Sequence, residues 1–291
     1  MATERAERNR LFACIISAIA VLVGLAASAS AEAPSRLEPP VDCRAFSDTA
    51  AHQDCERANA GNAAAQASTG LLLATGHGVS VDYTAALRLF KAAVGQGDVR
   101  AEVYLGALYA GGRGVARDDR EAARLFRLAA DKGDPIAQVN LADLYATGRG
   151  VAKSDVEAMR LYRLAARQGN ADGMNGLAWR LAVDGGNLDE ALNWASRAAA
   201  LEPQDAGIQD TLGWIFFRQH KLELALFYAQ RAVGLEPRCA SCEDHLGDVA
   251  AALGRHDEAR AHWQRALQLS ADMPPDPDWD REAVARKLAS P

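Results

Sequence analysis

Closely spaced glycines at 111–126 are the first residues whose types and spacing could carry out chemistry. The segment GGRGVARDDREAARLF places Gly112 and Gly114 ahead of a helix with an acidic start, as in a phosphate-binding loop. A dinucleotide fingerprint requires a third glycine after a strand, and a Walker loop requires Gly-Lys-Ser/Thr. The third glycine is missing, position 117 is arginine, and a helical pattern precedes the loop. The sequence therefore disfavours a nucleotide cofactor.

Cysteines form the second group of reactive side chains. Cys239 and Cys242 make a C-x-x-C motif at the predicted start of a helix, a position that lowers a thiol pKa in disulfide oxidoreductases. Those enzymes have a βαβ fold, which this sequence does not predict, so a local structural disulfide is favoured over a redox role. Zinc binding through Cys239, Cys242 and His245 is a further alternative, for which no fourth ligand is identified. Cys43 and Cys55 are predicted to form the other disulfide, which closes a loop of about 13 residues.

No catalytic motif accompanies these cysteines. The patterns His-Glu-x-x-His and Gly-x-Ser-x-Gly are absent, and His256 and His262 are six residues apart, so they do not share a helix face as i, i+4 residues do. The carboxylates are scattered, as on solvated helix faces. We therefore predict no catalytic residue, no bound metal, no cofactor and no identifiable small-molecule substrate.

The first 31 residues have the layout of a secretory signal peptide. Three arginines precede an apolar run from 11 to about 27, and Ala29-Ser30-Ala31 fits an A-x-A cleavage site. We expect a mature chain that begins near Glu32 in the periplasm or outside the cell, with an uncleaved membrane anchor as the alternative. Cleavage would remove Cys14 and leave four cysteines, and an even number in an exported chain favours disulfides.

Composition favours close-packed helices. Apolar residues make up 49% of the chain, alanine is abundant, and the alternation typical of strands is scarce. The formal net charge of −6 argues weakly against nucleic acid as a partner.

The glycine loop recurs with a period of 36 residues. Its two glycines lie at 76 and 78, at 112 and 114, and at 148 and 150. Alanine positions recur in phase, for example Ala65, Ala101 and Ala137, as do the aromatic positions Phe90, Phe126 and Tyr162. A period of this length indicates stacked helix hairpins instead of one pocket. The loop is then a turn between the two helices of a hairpin.

Polar residues and glycines in phase mark the predicted helix ends. Side-chain oxygens that precede the second helices are predicted N-caps: Asp82, Asp118 and Ser154. Glu121 and Glu157 stand three residues after the last two of these, which predicts capping boxes. Glycines that follow the second helices are predicted to be left-handed: Gly97, Gly133 and Gly169.

These units resemble the Sel1-like repeat family, whose pattern runs Ala…Leu-Gly…Tyr…Gly-x-Gly-Val…Asp…Ala…Ala…Gly. The middle unit carries the matching residues Ala101, Leu105, Gly106, Tyr109, Gly112, Gly114, Val115, Asp118, Ala122, Ala129 and Gly133. The first unit departs from the pattern with Thr69 and Leu73, and the third with Ala142.

After about residue 170 the glycine loop disappears and the period shortens to 34. Pro203 and Pro237 show this spacing, and so do Gly213 and Gly247. The segments 210–237 and 243–269 resemble tetratricopeptide repeats, with Leu-Gly, aromatic, alanine and proline signals in order. A third unit, 172–205, matches in its second helix and is degenerate in its first.

The two resemblances imply an all-α fold. We expect an α-solenoid, a right-handed superhelix of about six helix-hairpin repeats, three of 36 residues followed by three of 34. The predicted segments are a signal peptide (1–31), a linker and capping helix (32–63), Sel1-like repeats (64–171), tetratricopeptide repeats (172–271), and a proline-rich break with a short C-terminal helix (272–291).

The tetratricopeptide resemblance also implies where a partner binds. In such arrays the first helices line the concave side, where partner peptides are commonly held, and the candidate residues there are Asp210, Trp214, Phe217, Arg218, Asp244 and Asp248. Trp214 and Phe217 are predicted aromatic anchors; the alternative is that Trp214 only packs against the neighbouring unit. Weaker candidates in the Sel1-like units are Glu102, Tyr104 and Asp143.

The leading hypothesis is a non-enzymatic scaffold of the periplasm or cell envelope that binds a protein or extended peptide on this concave face. Its expected context is envelope assembly, polysaccharide export or signalling regulation, and it would meet a membrane only through a partner or an uncleaved leader. One alternative is a secreted Sel1-like enzyme that binds or hydrolyses penicillins. Relatives of that kind carry a cysteine pair in nearly every repeat, whereas 64–235 contains no cysteine. The other is a thiol–disulfide protein using Cys239 and Cys242.

Overall fold

Helices form the regular structure of residues 39–271 and 279–289, the part of the chain that the computed structural model describes, and no strand occurs there. A 3-10 helix at Cys43–Ala45 comes first. The α-helices that follow are α1 Thr49–Asn59, α2 Ala63–Thr75, α3 Tyr83–Val94, α4 Val99–Gly111, α5 Asp119–Asp131, α6 Pro135–Thr147, α7 Asp155–Arg167, α8 Ala171–Val183, α9 Leu188–Leu201, α10 Ala206–Arg218, α11 Leu222–Leu235, α12 Ala240–Ala252, α13 His256–Leu269 and α14 Arg281–Ala289. The all-α prediction is confirmed.

The described residues divide into two compact units. The N-terminal unit ends at Ser154 and contains α1 to α6; the C-terminal unit begins at Asp155 and contains α7 to α14. Within each unit consecutive helices pack as hairpins, and first helices of successive repeats also contact one another. The predicted signal peptide lies outside the described residues. Among the described helices none is long and apolar enough to cross a membrane.

The two glycines of each 36-residue loop are required by backbone conformation and by close contact. Gly112 ends α4 with φ +61°, and Gly114 has φ +68°. A Cβ on Gly114 would lie 2.5 Å from the Cβ of Tyr83 at the start of α3, and one on Gly150 would overlap the backbone carbonyl of Asp119 at the start of α5. The second glycine therefore lets each loop press against the preceding repeat. The loop is a joint between repeats.

In the second and third loops, the arginine between the two glycines contacts a residue of the preceding repeat. Arg149 donates to both carboxylate oxygens of Asp119, at 2.8 and 3.3 Å, and Arg113 lies over the ring of Tyr83 at 5.9 Å from its centroid. Burial raises the pKa of Asp119, but hydrogen bonds from Arg149 and Arg117 outweigh it and lower the pKa below its usual value. The guanidinium of Arg149 thus ties successive repeats together.

The predicted N-caps Asp82 and Asp118 are confirmed, but the capping box at Asp118 is wrong. The Asp118 carboxylate accepts from the backbone N–H groups of Arg120 and Glu121, both at 3.0 Å. The Asp118 N–H, which a capping box would give to Glu121, instead donates to the carbonyl of Tyr109. The Glu121 carboxylate is held by Arg124. The loop folds back and brings the Tyr109 carbonyl of α4 within hydrogen-bonding distance of the Asp118 N–H. That N–H is therefore not free to bond to Glu121.

The N-terminal unit begins with a disulfide-linked cap. Cys43 and Cys55 are bonded, as predicted, and join the 3-10 helix to α1. α1 packs against α2, and Ser47 donates to the carbonyl of Gly78 in the first glycine loop. Ser47 thus takes the place that Tyr83 and Asp119 occupy in the following repeats, so α1 acts as half a repeat that covers α2.

Glycine and alanine allow the helices of the C-terminal unit to approach closely. A Cβ on Gly213 in α10 would lie 3.1 Å from the backbone of Ala229 in α11, and one on Gly247 in α12 would lie 2.6 Å from the Trp263 ring in α13. The alanines that recur every 34 residues on the second helices are fully buried: Ala191, Ala225 and Ala259, and Ala198, Ala232 and Ala266. Small side chains at fixed phase therefore set the hairpin spacing.

Candidate functional site

Three first helices of the C-terminal unit, α8, α10 and α12, lie side by side because α10 contacts both of the others. The fifth and ninth residues of these helices fall on one face, since residues four apart are neighbours on a helix. They are Asn175 and Trp179 in α8, Asp210 and Trp214 in α10, and Asp244 and Asp248 in α12. We call this surface the first-helix site.

An aromatic cluster joins the three helices. The ring of Trp214 lies 6.2 Å from that of Trp179, 5.1 Å from that of Phe217 and 4.6 Å from that of His245, between centroids. Trp214 is half-buried, and its indole Nε1 is buried without a hydrogen-bond partner. The Trp214 ring therefore packs against rings from α8 and α12, and its N–H has no hydrogen-bond acceptor among the described residues.

Asp210 is buried and uses only one carboxylate oxygen. Its Oδ2 lies 2.8 Å from Nδ1 of His245 on α12, and its Oδ1 is buried without a partner. Burial lowers the pKa of His245, but the Asp210 carboxylate, helped by Asp244 and Asp248, outweighs it and raises that pKa above its ordinary value. The neighbouring carboxylates therefore favour the charged form of the imidazole, and the hydrogen bond between His245 and Asp210 links α10 to α12.

Arg218 is fixed at the end of α8. Its Nη1 donates to the carbonyl of Ala182 at 2.6 Å and contacts that of Val183 at 3.5 Å. These carbonyls lie at the C-terminus of α8, where a cation is favoured by the helix dipole. Arg218 therefore joins α8 to α10 at the edge of the first-helix site.

Asp244 and Asp248 are covered by the chain's own C-terminal segment. Lys287 of α14 donates to Asp244 at 2.7 Å and to Asp248 at 2.8 Å. Trp279 Nε1 donates to the other Asp244 oxygen at 3.0 Å, and Trp263 Nε1 donates to Asp248. Of the predicted site residues, these two carboxylates are thus occupied in the structure, whereas Asp210 and Trp214 each keep an unpartnered polar atom.

The two disulfide cysteines at the start of α12 are buried. Cys239 and Cys242 are bonded to each other, and their exposed fractions are 6% and 0%. The Cys242 N–H donates to Cys239 Sγ at 3.1 Å, so the sulfur caps the helix. His245 bonds to Asp210 instead of joining the cysteines. Among the described residues no group of three or more His, Cys, Asp or Glu side chains is arranged to hold a metal ion.

Comparison with protein families assigns the repeats. The profile described as Sel1 repeat matches residues 63–98, 99–134, 135–170 and 172–203. The chain is a Sel1-like repeat protein. The fourth match falls on the segment whose spacing favours a tetratricopeptide unit, so the boundary between the two repeat types stays a prediction. No curated protein matches the chain.

Two solved structures resemble this Sel1-like repeat protein. A Sel1 repeat protein from Oxalobacter formigenes is 26% identical, with a TM-score of 0.56, over 72% of this chain and 89% of its own. A protective antigen of uropathogenic Escherichia coli strains with an SLR fold is 24% identical, with a TM-score of 0.57, over 83% of this chain. The match spans 56% of that antigen's length, and it supports the fold alone.

Two of the weaker site candidates in the Sel1 repeats are buried. Glu102 is 3% exposed, with Oε1 bonded to Lys132 at 2.7 Å, and Tyr104 is 9% exposed, with its ring 5.4 Å from that of Phe90. Only Asp143 of the three is exposed. Glu102 and Tyr104 therefore pack between helices instead of presenting a surface.

The sequence analysis missed Trp179 and His245 as members of the first-helix site. His245 was considered only beside the cysteines, although its position next to Asp244 on the first helix places it on the adjacent face. Trp179 is the ninth residue of α8, as Trp214 is of α10. The position of the helix start could have revealed Trp179. α8 begins 35 residues before α10, whereas α10 begins 34 residues before α12, so a strict 34-residue spacing misses Trp179 by one residue.

Proposed function

We propose that this Sel1-like repeat protein is an exported, non-enzymatic scaffold that binds a protein or extended peptide at the first-helix site. Sel1 repeats form a scaffold consistent with protein–protein interaction. The observation that carries the proposal is the combination, on one face, of aromatic rings and unfilled hydrogen-bonding atoms. Trp179, Trp214 and Phe217 supply the rings, and Asp210 Oδ1 and Trp214 Nε1 supply the unfilled acceptor and donor.

This arrangement suits an extended chain. A peptide unit carries a C=O acceptor, which complements the unfilled indole N–H of Trp214 on α10. Neighbouring rings supply apolar contact area for a partner side chain, and aromatic residues are common energetic centres of interfaces. The proposed setting is the periplasm or cell envelope, in envelope assembly, polysaccharide export or signalling regulation. Two disulfides are compatible with export.

Site-specific photo-crosslinking in cells tests this function. A photoreactive phenylalanine analogue replaces Phe217 at the first-helix site or, as the matched control, Phe227, which is 54% exposed on the second helix α11. We expect Phe217 to give a defined crosslinked partner and Phe227 to give none. Trp214→Phe keeps an aromatic ring but removes the N–H, and should weaken the crosslink. Equal crosslinking from both positions, or a yield unaffected by Trp214→Phe, would refute binding at this face.

A further inference from the structure

The C-terminal unit already contains one lysine bound to a first helix. The Lys287 ammonium group lies 2.7 Å from Asp244 and 2.7–2.8 Å from Asp248, and 5.8 Å from the centroid of the Trp263 ring. Two carboxylates and an indole ring are a favourable environment for an ammonium ion, through charge-assisted hydrogen bonds and a cation–π contact. The fifth and ninth positions of a first helix can thus hold a lysine side chain.

Asp210 stands at the equivalent position one repeat earlier and repeats half of this arrangement. Asp210 Oδ2 bonds to His245, and Asp244 Oδ2 bonds to Trp279. In both cases the partner is 35 residues further along the chain. A ring nitrogen therefore occupies one oxygen of each aspartate. Both aspartates lie on the fifth residue of their helix.

The other half of the arrangement is missing at Asp210. Lys287 bonds to Oδ1 of Asp244 from 43 residues further on, whereas the residue at that separation from Asp210 is Leu253, which has no charge. Asp210 is 7% exposed, and its Oδ1 has no partner. An unfilled, buried carboxylate oxygen is costly, so its retention points to a ligand that donates a hydrogen bond.

We propose that Asp210 Oδ1 binds the side-chain ammonium group of a lysine on the protein or peptide partner. This inference rests on the proposed function and specifies the partner's chemistry. The charges agree, because three carboxylates, Asp210, Asp244 and Asp248, stand against one imidazole, that of His245, and the single ammonium group of Lys287. The unpartnered Oδ1 of Asn175, at the fifth position of α8, adds a further acceptor on the same face.

The test uses the whole protein and three short peptides. Acetyl-Ala-Ala-Lys-Ala-Ala-amide is titrated against the ¹⁵N-labelled protein, and the indole N–H resonances of its five tryptophans are followed by NMR. The same peptide with norleucine in place of lysine lacks the ammonium group, with both its charge and its N–H donors, and n-butylammonium supplies that group without a peptide. We expect the lysine peptide to shift the Trp214 and Trp179 signals, with affinity about tenfold above the norleucine peptide and above n-butylammonium.

Two variants assign the binding oxygen. Asp210→Asn keeps the shape of the side chain and should abolish the preference for lysine over norleucine; Glu258→Gln, an exposed carboxylate on α13, should leave it unchanged. The wild-type comparison of the two peptides is independent of how well Asp210→Asn folds. Equal affinity for both peptides would overturn the lysine assignment while leaving peptide binding intact. Shifts confined to Trp263 and Trp279, which would indicate replacement of Lys287, would overturn it as well.

Failure of the proposed function gives a different pattern. In that case the Phe217 crosslink is absent and neither peptide shifts the Trp214 signal. If the Phe217 crosslink is present but the lysine peptide produces no shift, the scaffold function stands and the lysine assignment is wrong.

Discussion

The first helices of the two units differ at the same two positions. In the N-terminal unit the fifth residues are Ala67, Val103 and Val139, which are all buried. In the C-terminal unit the fifth residues are Asn175, Asp210 and Asp244, and the ninth include Trp179 and Trp214. The N-terminal helices thus use this position for packing, whereas the C-terminal helices place polar groups there, of which Asn175 and Asp210 keep an unfilled oxygen.

The fourth residues of two first helices in the N-terminal unit are buried polar residues that bond to other helices. At the fourth position, Gln66 accepts from Gln96 at 2.9 Å and Glu102 binds Lys132 at 2.7 Å, in each case 30 residues further on. These contacts join a first helix to the residues at the end of the second helix of the same hairpin. The second oxygen of Glu102 has no partner. In the N-terminal unit, the polar side chains buried at this position therefore hold neighbouring helices together.

The glycine joints should produce the largest difference between the units. Gly150→Ala in the N-terminal unit adds a Cβ that overlaps the Asp119 backbone at a positive φ, so we expect a loss of about 3 kcal/mol or more in the free energy of unfolding. Gly254→Ala in the C-terminal unit has a similar φ of +76° but no atom within 4 Å, so only the cost of left-handed backbone, about 1–2 kcal/mol, is expected. Urea unfolding followed by circular dichroism measures both; equal losses would contradict a joint at Gly150.

The two disulfides should stabilise their units unequally. Replacement of Cys43 and Cys55 by serine opens a loop of about 13 residues and should cost about 3 kcal/mol, whereas the same change at Cys239 and Cys242 opens a loop of about 4 residues and should cost about 2 kcal/mol. Hydrogen exchange of α1 and of α12 locates each effect. A greater loss at Cys239 and Cys242 would show that this bond stabilises α12 beyond its effect on the unfolded chain.

Removal of Lys287 should leave Asp244, like Asp210, with a carboxylate oxygen that has no partner. Lys287→Met leaves Asp244 and Asp248 without their shared cation, and we expect a loss of about 1 kcal/mol together with faster hydrogen exchange in α14. Arg286→Met, on the same helix but exposed, is the matched control and should leave the exchange of α14 unchanged. If α14 keeps its protection in Lys287→Met, Lys287 does not hold the helix in place.

The smallest expected effect is a pH dependence confined to the C-terminal unit. The pKa of His245 is raised in the folded state, with burial opposing and Asp210, Asp244 and Asp248 favouring the charged imidazole. Its contribution to stability is therefore fully present below the unfolded pKa of about 6.5 and is lost as the pH rises through the higher folded pKa. Lys287 also faces these carboxylates.

The variant His245→Gln separates this contribution from that of other groups. Urea midpoints of the wild type should fall between pH 6.5 and mildly alkaline pH more than those of His245→Gln. Parallel curves for the two proteins would show that the imidazole does not stabilise the fold through its charge.

The sequence predicted helices and turns well because their signals are local. The glycines at 112 and 114 and the N-cap Asp118 each act within one turn of chain, so their spacing was sufficient. The capping box failed because the Asp118 N–H is taken by Tyr109, a residue nine positions earlier. The partner of the Asp118 N–H depends on how the loop folds back, and the spacing of Asp118 and Glu121 does not determine this.

By itself, the sequence determined the repeat period, the helix hairpins, the conformation of the loop glycines and the pairing of the cysteines, because each depends on residues close in the chain or on a recurring pattern. Only the tertiary structure decided which carboxylates are occupied. Asp210 and Asp244 look alike in sequence, but Lys287 fills the free oxygen of Asp244 and no side chain fills that of Asp210. The partners lie 35 and 43 residues away, and contacts at such distances follow from the packing of whole helices.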